Sequence, residues 1–145
     1  MIGLGTDSFS EADRNAVREE IAKMHQLGGT VIDTAAAYGD SEALIGEALE
    51  SLGTRDRMFL ATKMSGGASR GTQDFAHSLE RLKTGRIDLL QVHNLYGTAE
   101  LLAQMQQWKQ QGRIRYVGVT TSRGGQHAEL AETMRRYPLD FIQVD

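Results

Sequence analysis

The chain has 145 residues, of which 40% are hydrophobic, and a formal net charge of −3 at pH 7. This balance predicts a soluble globular protein, and no basic stretch of the kind that binds nucleic acid is present. The longest apolar segments, such as IDLLQV, are far shorter than the roughly twenty residues that a membrane helix needs. Because the chain has no cysteine, disulfides and thiolate metal sites are excluded, and a cytoplasmic location is the default expectation.

Six short apolar runs predict β-strands along the chain. They alternate with five helical patterns, so the repeating unit is a strand followed by a helix, about 28 residues long. Right-handed crossovers between such units make all the strands parallel and put the helices on the outside. The predicted strands are Ile2–Gly5, Thr30–Thr34, Met58–Thr62, Ile87–His93, Tyr116–Thr120 and Asp140–Val144.

The predicted helices carry start and stop signals. Ser10 and Asp13 form a capping-box pattern before the first helix, and Asp40 is expected to cap the second. Gly53 is expected to end the second helix in a left-handed conformation. The third helix follows SGGASRG, Ser65–Gly71. This glycine-rich stretch lacks the GK[ST] ending of a phosphate-binding loop, so we interpret it as an ordinary flexible loop after the third strand. The first, third, fourth and fifth helices end near Gly28, Gly85, Gly112 and Pro138.

Two α/β architectures fit this array, a doubly wound open sheet and a closed eight-stranded barrel. A doubly wound dinucleotide-binding fold is expected to carry GxGxxG after its first strand, whereas GLGTDSFSEAD follows here. A complete (β/α)8 barrel typically needs about 200 to 250 residues and eight strands. We therefore expect residues 1–145 to form a single partial barrel domain with six parallel strands and five helices, which lacks the last two βα units. Its first and sixth strands would be open edges.

Three ionisable residues each close an apolar run, and this pattern favours the barrel. They are Asp33 in VIDTA, Lys63 in FLATK and His93 in LLQVH. Such side chains are costly within a strand that is buried on both faces, so we expect them at strand tips, where α/β barrels keep their chemistry. Tyr38 follows Asp33 by five residues, and its loop can return over that tip. Each residue alone would more often be a cap, a rim residue or a packed histidine, but those roles explain poorly why all four converge.

The chain resembles the aldo-keto reductases in four motifs that occur in order. These are GLGT at Gly3–Thr6, IDTAAAYG at Ile32–Gly39, ATK at Ala61–Lys63 and DLLQVHN at Asp88–Asn94. The resemblance continues through QGRIRYVGVT and FIQV towards the end of the chain. It implies a (β/α)8 barrel that reduces aldehydes or ketones with NADPH, or with NADH, and without a metal.

The resemblance also implies a role for each matching residue. Tyr38 corresponds to the proton donor, Lys63 to the cation beside it, Asp33 to the carboxylate that pairs with the lysine, and His93 to the imidazole that orients the carbonyl. A neighbouring ammonium is expected to lower the pKa of the phenol from its usual value of about 10. The residues implied to bind the cofactor are Gly5, Thr6, Asp33, Thr120, Thr121 and Gln143.

The sequence departs from the family pattern after the fifth strand. Thr120 and Thr121 stand where the family often has Ser-Asn, and threonine hydroxyls can still donate and accept hydrogen bonds. The family also grips its cofactor with loops after the seventh and eighth strands. An inactive barrel fragment that binds or assembles through open strand edges is therefore the alternative to a reductase. The expected partners are a small carbonyl substrate and, through those edges, a second copy of the chain, without nucleic acid or membrane.

The remaining histidines carry no predicted chemistry. His25, His77 and His127 lie in or at the start of helical stretches without metal-ligand partners at suitable spacing. We interpret them as surface or packing residues and predict no metal site.

Overall fold

A computed structural model of the chain describes residues 3 to 7 and 9 to 145, apart from the side chain of Ala68. Six strands alternate with five α-helices. The strands are β1 (Gly3–Gly5), β2 (Val31–Asp33), β3 (Phe59–Met64), β4 (Ile87–Val92), β5 (Ile114–Thr120) and β6 (Phe141–Gln143). The helices are α1 (Arg14–Gln26), α2 (Ser41–Leu52), α3 (Ala68–Arg81), α4 (Thr98–Gln110) and α5 (His127–Arg136). Ile2, which was predicted to begin the first strand, lies outside the described residues.

The six strands form one parallel sheet in chain order, β1 to β6. Asp33 pairs with Gly5 on one side and with Ala61 on the other, and Lys63 pairs with Gln91. Thr120 pairs with Gln143. This register places the carboxyl ends of all six strands along the same edge of the sheet, as the (β/α) barrel prediction requires.

The hydrophobic core lies between the sheet and the helices outside it. Residues from the buried helix faces pack against alternate residues of the strands, which explains why the helices carry apolar stripes. Phe75 of α3 stacks on Trp108 of α4 with ring centroids 4.2 Å apart. Other fully buried core residues are Ile21, Ile32, Ile45, Leu49, Leu60, Leu82, Ile87, Leu90, Leu101, Leu102 and Met105.

Helices α2 and α3 approach each other closely at Gly46. A Cβ atom at this position would overlap the carbonyl oxygen of Arg81 and lie 2.9 Å from the Cα of Leu82. The absence of a side chain at Gly46 therefore lets α2 pack directly on the end of α3. None of the helices in the described part of the chain is both long and apolar enough to cross a membrane.

Several element ends differ from the sequence predictions. Strand β3 continues to Met64, so Lys63 lies inside the strand, whereas β4 ends at Val92 and His93 begins a 3-10 turn. The prediction of a loop at Ser65–Gly71 is wrong from Ala68 onwards, because α3 begins at Ala68. Gly71 therefore lies inside α3. A Cβ atom at this position would press on Leu101 and Gln104 of α4, so the missing side chain allows the two helices to approach closely.

The predicted helix ends are mostly confirmed. The Asp13 carboxylate accepts the Ser10 backbone N–H at 2.9 Å, as in a capping box, and Gly53 is left-handed with φ of 62°. Asp40 precedes α2 as predicted, but its side chain does not cap that helix. The carboxylate instead accepts the backbone N–H of Glu11 at 3.2 Å.

Candidate active site

Four polar side chains converge at the carboxyl ends of β2, β3 and β4. Lys63 Nζ donates to Asp33 Oδ2 at 2.5 Å and to the carbonyl oxygen of Thr34 at 2.9 Å. The same ammonium lies 5.1 Å from the centre of the Tyr38 ring. Tyr38 meets His93 edge to face, with ring centroids 5.7 Å apart. The structure thus brings together all four residues that the sequence analysis selected as catalytic.

Lys63 and Asp33 form a charge pair at the edge of the barrel interior. The lysine side chain is only 2% exposed, whereas that of Asp33 is 27% exposed. A buried ammonium is costly unless it is paired and hydrogen-bonded, and here the carboxylate and the Thr34 carbonyl serve both needs.

The pKa of the Tyr38 phenol differs from the expectation. Burial raises the pKa of Tyr38 above its usual value, and the negative charges of Asp33 and Asp7 raise it further. The predicted lowering by Lys63 is wrong for this structure because burial, together with the charges of Asp33 and Asp7, shifts the pKa in the opposite direction. Tyr38 consequently keeps its proton at neutral pH and can donate it.

His93 is neutral near pH 7. Burial lowers the pKa of its imidazole, and the positive charge of Lys63 lowers it further, while Asp33 acts in the opposite direction. A neutral imidazole has one donor and one acceptor nitrogen, so it can hydrogen-bond a carbonyl oxygen without carrying a positive charge.

A cavity of about 240 Å³ connects Tyr38, Lys63 and His93 to the ends of β5 and β6, and Asp33 is not among its lining residues. Thr120 Oγ1 accepts the backbone N–H of Asn94 at 3.0 Å, which leaves its own hydroxyl hydrogen able to donate. Among the described residues, the side-chain amide of Gln143 makes only long contacts, of 3.4 Å, to Asp33 and Gln91. The cavity is lined by Tyr38, Lys63, His93, Asn94, Thr120, Thr121, Ser122, Gln143, Val144 and Asp145.

Gly5 and Thr6, which the resemblance assigned to the cofactor, do not line this cavity. Thr6 is buried and donates its hydroxyl to the carbonyl oxygen of Asp33 at 3.1 Å. Nothing lies within 4 Å of a Cβ atom built on Gly5, so the backbone there is open to approach. Thr6 therefore supports Asp33 in this structure, and Gly5 borders free space.

Three residues of this region were not selected from the sequence. Asn94 has the left-handed φ of 54°, which turns the chain from His93 into the cavity wall. Asp7 acts on Tyr38 through its charge. Glu42 is a buried carboxylate behind the site. The sequence did contain a sign that Glu42 is buried. It lies three residues before Ile45, and residues three apart in a helix share a face, so Glu42 lies on the apolar stripe of α2.

No group of three or more His, Asp or Glu residues that could hold a metal ion occurs in the described part of the chain. Of the other histidines, His25 lies in α1, His77 in α3, and His127 at the start of α5.

Known proteins resemble this chain in sequence and in fold. The sequence model of the aldo/keto reductase family matches residues 1–145. The chain belongs to the aldo/keto reductase family. It is 34% identical to the aldo-keto reductase YhdN of Bacillus subtilis, in a match that covers 82% of this chain and 42% of that protein. It is also 34% identical to the methylglyoxal reductase YeaE of Escherichia coli, covering 82% of this chain and 44% of that protein.

Solved structures of the family have the same fold. An aldo-keto reductase from Bacillus halodurans superimposes with a TM-score of 0.83 and 25% identity, covering 99% of this chain and 52% of the other. An aldo-keto reductase from Klebsiella pneumoniae in complex with NADPH gives a TM-score of 0.79 and 28% identity, covering 94% and 49%. The six-stranded sheet is thus an incomplete (β/α)8 barrel, and the chain spans about half the length of these relatives.

Proposed function

We propose that this aldo/keto reductase chain contributes the catalytic half of a site that reduces aldehydes or ketones to alcohols with hydride from NADPH, or from NADH. The observation that carries the proposal is the convergence of Tyr38, Lys63 and His93 on one cavity, with Asp33 paired to Lys63. We further propose that residues 1–145 form one partial barrel domain, because the described core residues make one cluster.

In the proposed reaction, the Tyr38 hydroxyl donates its proton to the carbonyl oxygen as negative charge develops there. Burial raises the pKa of Tyr38, so the phenol is protonated at neutral pH but is a weaker acid than a free tyrosine. The neutral His93 imidazole donates a hydrogen bond to the same oxygen and so fixes the direction of the carbonyl. The Lys63 ammonium, held by Asp33, lies 5.1 Å from the centre of the Tyr38 ring, where it can stabilise the negative charge that develops as the proton leaves.

The residues at the ends of β5 and β6 fit a nicotinamide. Thr120 has a free hydroxyl hydrogen, and the Gln143 amide makes only long contacts, so both can bond a carboxamide. Thr121 lines the same cavity. Gly5 can border the cofactor, whereas Thr6 and Asp33 would act by shaping that wall. Bound NADPH would supply the hydride. The Klebsiella pneumoniae relative that was solved with NADPH supports this choice.

The proposal is tested by substituting Tyr38 with Phe in the natural polypeptide that carries this sequence. Turnover of NADPH with aldehydes is expected to fall by about 10² to 10⁴-fold, because the proton donor is lost, while NADPH binding is retained. Tyr137→Phe, at the end of α5, is the matched control and is expected to keep the parent rate. Unchanged turnover in Tyr38→Phe would remove Tyr38 from the role of acid.

Open apolar surface favours a second candidate, assembly with another copy of the chain. A cavity of about 510 Å³ on the concave face of the sheet is lined by Phe59, Leu89, Phe141 and Ile142, among others. Phe141 and Ile142 are exposed, and β1 and β6 are the two edge strands of the described sheet. In sedimentation experiments, assembly predicts a mass that rises with concentration. A monomer at every concentration contradicts it.

A further inference from the structure

We propose that Glu42 is a positioning residue of the active site, which holds Lys63 in place through the hydroxyl of Thr62. This inference rests on the proposed reductase function and adds a residue that touches neither the substrate nor the cofactor cavity.

Glu42 lies in the first turn of α2 with only 1% of its surface exposed. Its Oε1 accepts the hydroxyl of Thr62 at 2.7 Å, and its Oε2 accepts the hydroxyl of Ser78 at 3.2 Å. The guanidinium of Arg81 donates to the same Oε2 at 2.8 Å. One carboxylate therefore joins three elements, namely α2, β3 and α3.

The position of Thr62 in the chain links this cluster to the catalytic lysine. Successive side chains of a strand point to opposite faces, so Thr62 faces the helices while Lys63 faces the barrel interior. A fixed Thr62 hydroxyl consequently fixes the backbone from which Lys63 extends. Lys63 in turn must reach both Asp33 and the Thr34 carbonyl with Nζ.

The other end of the cluster is linked to Tyr38. The Ser41 backbone N–H, next to Glu42, donates to the Tyr38 carbonyl at 3.0 Å. The Ser41 hydroxyl donates to the carbonyl oxygen of Thr6, whose own hydroxyl supports Asp33. The first turn of α2 thus contacts the backbone of the proposed acid on one side and the strand of its lysine on the other.

Packing alone does not require a carboxylate at this position. An apolar side chain would cover β3 without the desolvation cost of a buried charge, and replacing buried ion pairs by apolar groups is often neutral. Hydrogen bonds add direction, which apolar contacts lack. The directed hydrogen bond of Glu42 is made with Thr62, the residue immediately before Lys63.

The test compares two variants, each of which removes one hydroxyl that donates a hydrogen bond to the Glu42 carboxylate. Thr62→Val and Ser78→Ala both alter a buried donor, but only Thr62 adjoins Lys63. In the natural polypeptide, we expect Thr62→Val to lower kcat for carbonyl reduction by about 10-fold or more with an unchanged KM for NADPH, because small displacements of catalytic groups have large effects. Ser78→Ala is expected to keep the parent kcat, and Thr62→Ser to restore it.

A second readout does not depend on turnover. The Tyr38 phenol is titrated by NMR with ¹³C-labelled tyrosine, and the charged or titratable groups that act on it are Asp33, Asp7, Lys63 and His93. If Lys63 moves away from Asp33, the unpaired carboxylate acts more strongly on the phenol. Tyr38 in Thr62→Val should therefore titrate at higher pH than in the parent, and in Ser78→Ala at the parent pH.

The two readouts separate the two proposals. A parent protein without carbonyl reduction would contradict the reductase function, and the Tyr38 titration would still decide the role of Glu42. An unchanged titration in a folded Thr62→Val, or an equal change in Ser78→Ala, would overturn that role. If Thr62→Val does not fold, Thr62→Ala is compared with Ser78→Ala by the same titration.

Discussion

The charge of His93 depends on its surroundings at the scale of single atoms. Burial and the ammonium of Lys63 lower the pKa of its imidazole, so the folded protein binds this proton less readily than the unfolded chain does. As the pH falls below the unfolded value of about 6.5, the unfolded chain takes up the proton first. The contribution of His93 to the free energy of unfolding is therefore lost from that pH down to the lowered pKa.

Replacing His93 with Gln should remove this part of the pH dependence. Between about pH 7.5 and pH 5.5, urea unfolding of the parent should show a larger loss of stability than unfolding of His93→Gln. His77→Gln is the control, since His77 is exposed on α3 and should leave the parent slope intact. If the stability of His93→Gln fell with pH as steeply as that of the parent, burial would not be what sets the pKa of this imidazole.

The four residues proposed as catalytic, Asp33, Tyr38, Lys63 and His93, could be selected from the sequence because each interrupts or follows an apolar run. A polar residue at the end of a buried strand is visible in a single sequence, as Asp33 and His93 show. The direction of the Tyr38 pKa was not predictable, since it depends on how deeply the phenol is buried and on the charges of Asp33 and Asp7 beside it, which only the fold decides. Glu42 was missed because its partners Ser78 and Arg81 lie far away in the chain.

The order and type of the larger elements followed from the alternation of apolar runs with helical stripes. All six predicted strands are confirmed in order, with Ile2 outside the described residues. The end of α3 nearest the site was not predictable, because glycine-rich SGGASRG has poor helix propensity and tertiary packing decides its state. Within α3, the missing side chain of Gly71 makes room for Leu101 and Gln104 of α4.

The contact between α2 and α3 makes a prediction at the scale of elements. Gly46→Ala should lower the free energy of unfolding by about 1 to 3 kcal/mol, despite the better helix propensity of alanine, because the new methyl group overlaps the backbone of Arg81. Gly85→Ala is the matched control. Its Cβ would meet nothing within 4 Å, so the change in stability should stay within about 0.5 kcal/mol. Equal effects in urea unfolding would contradict the close approach at Gly46.

The whole molecule is an incomplete barrel with the residues of the proposed site along one edge. Five crossovers bring the ends of β2, β3 and β4 beside those of β5 and β6. Tyr38, Lys63 and His93 therefore share one cavity with Thr120, Thr121 and Gln143, and Asp33 meets the Gln143 amide at 3.4 Å. The parallel barrel was predictable because the strand–helix unit repeats with functional residues at strand ends. The exposure of Phe141 and Ile142 was not, since a strand that is apolar in sequence does not reveal what covers it.

Deuterium transfer from NADPH to a carbonyl tests the central claim most directly. The natural polypeptide that carries this sequence is incubated with aldehydes and NADPH deuterated at C4 of the nicotinamide, and the alcohol is examined by NMR. A reductase predicts deuterium on the carbinol carbon, with a rate that falls by about 10² to 10⁴-fold in Tyr38→Phe. No labelled alcohol from any aldehyde or ketone, in a folded protein, would contradict the proposed function.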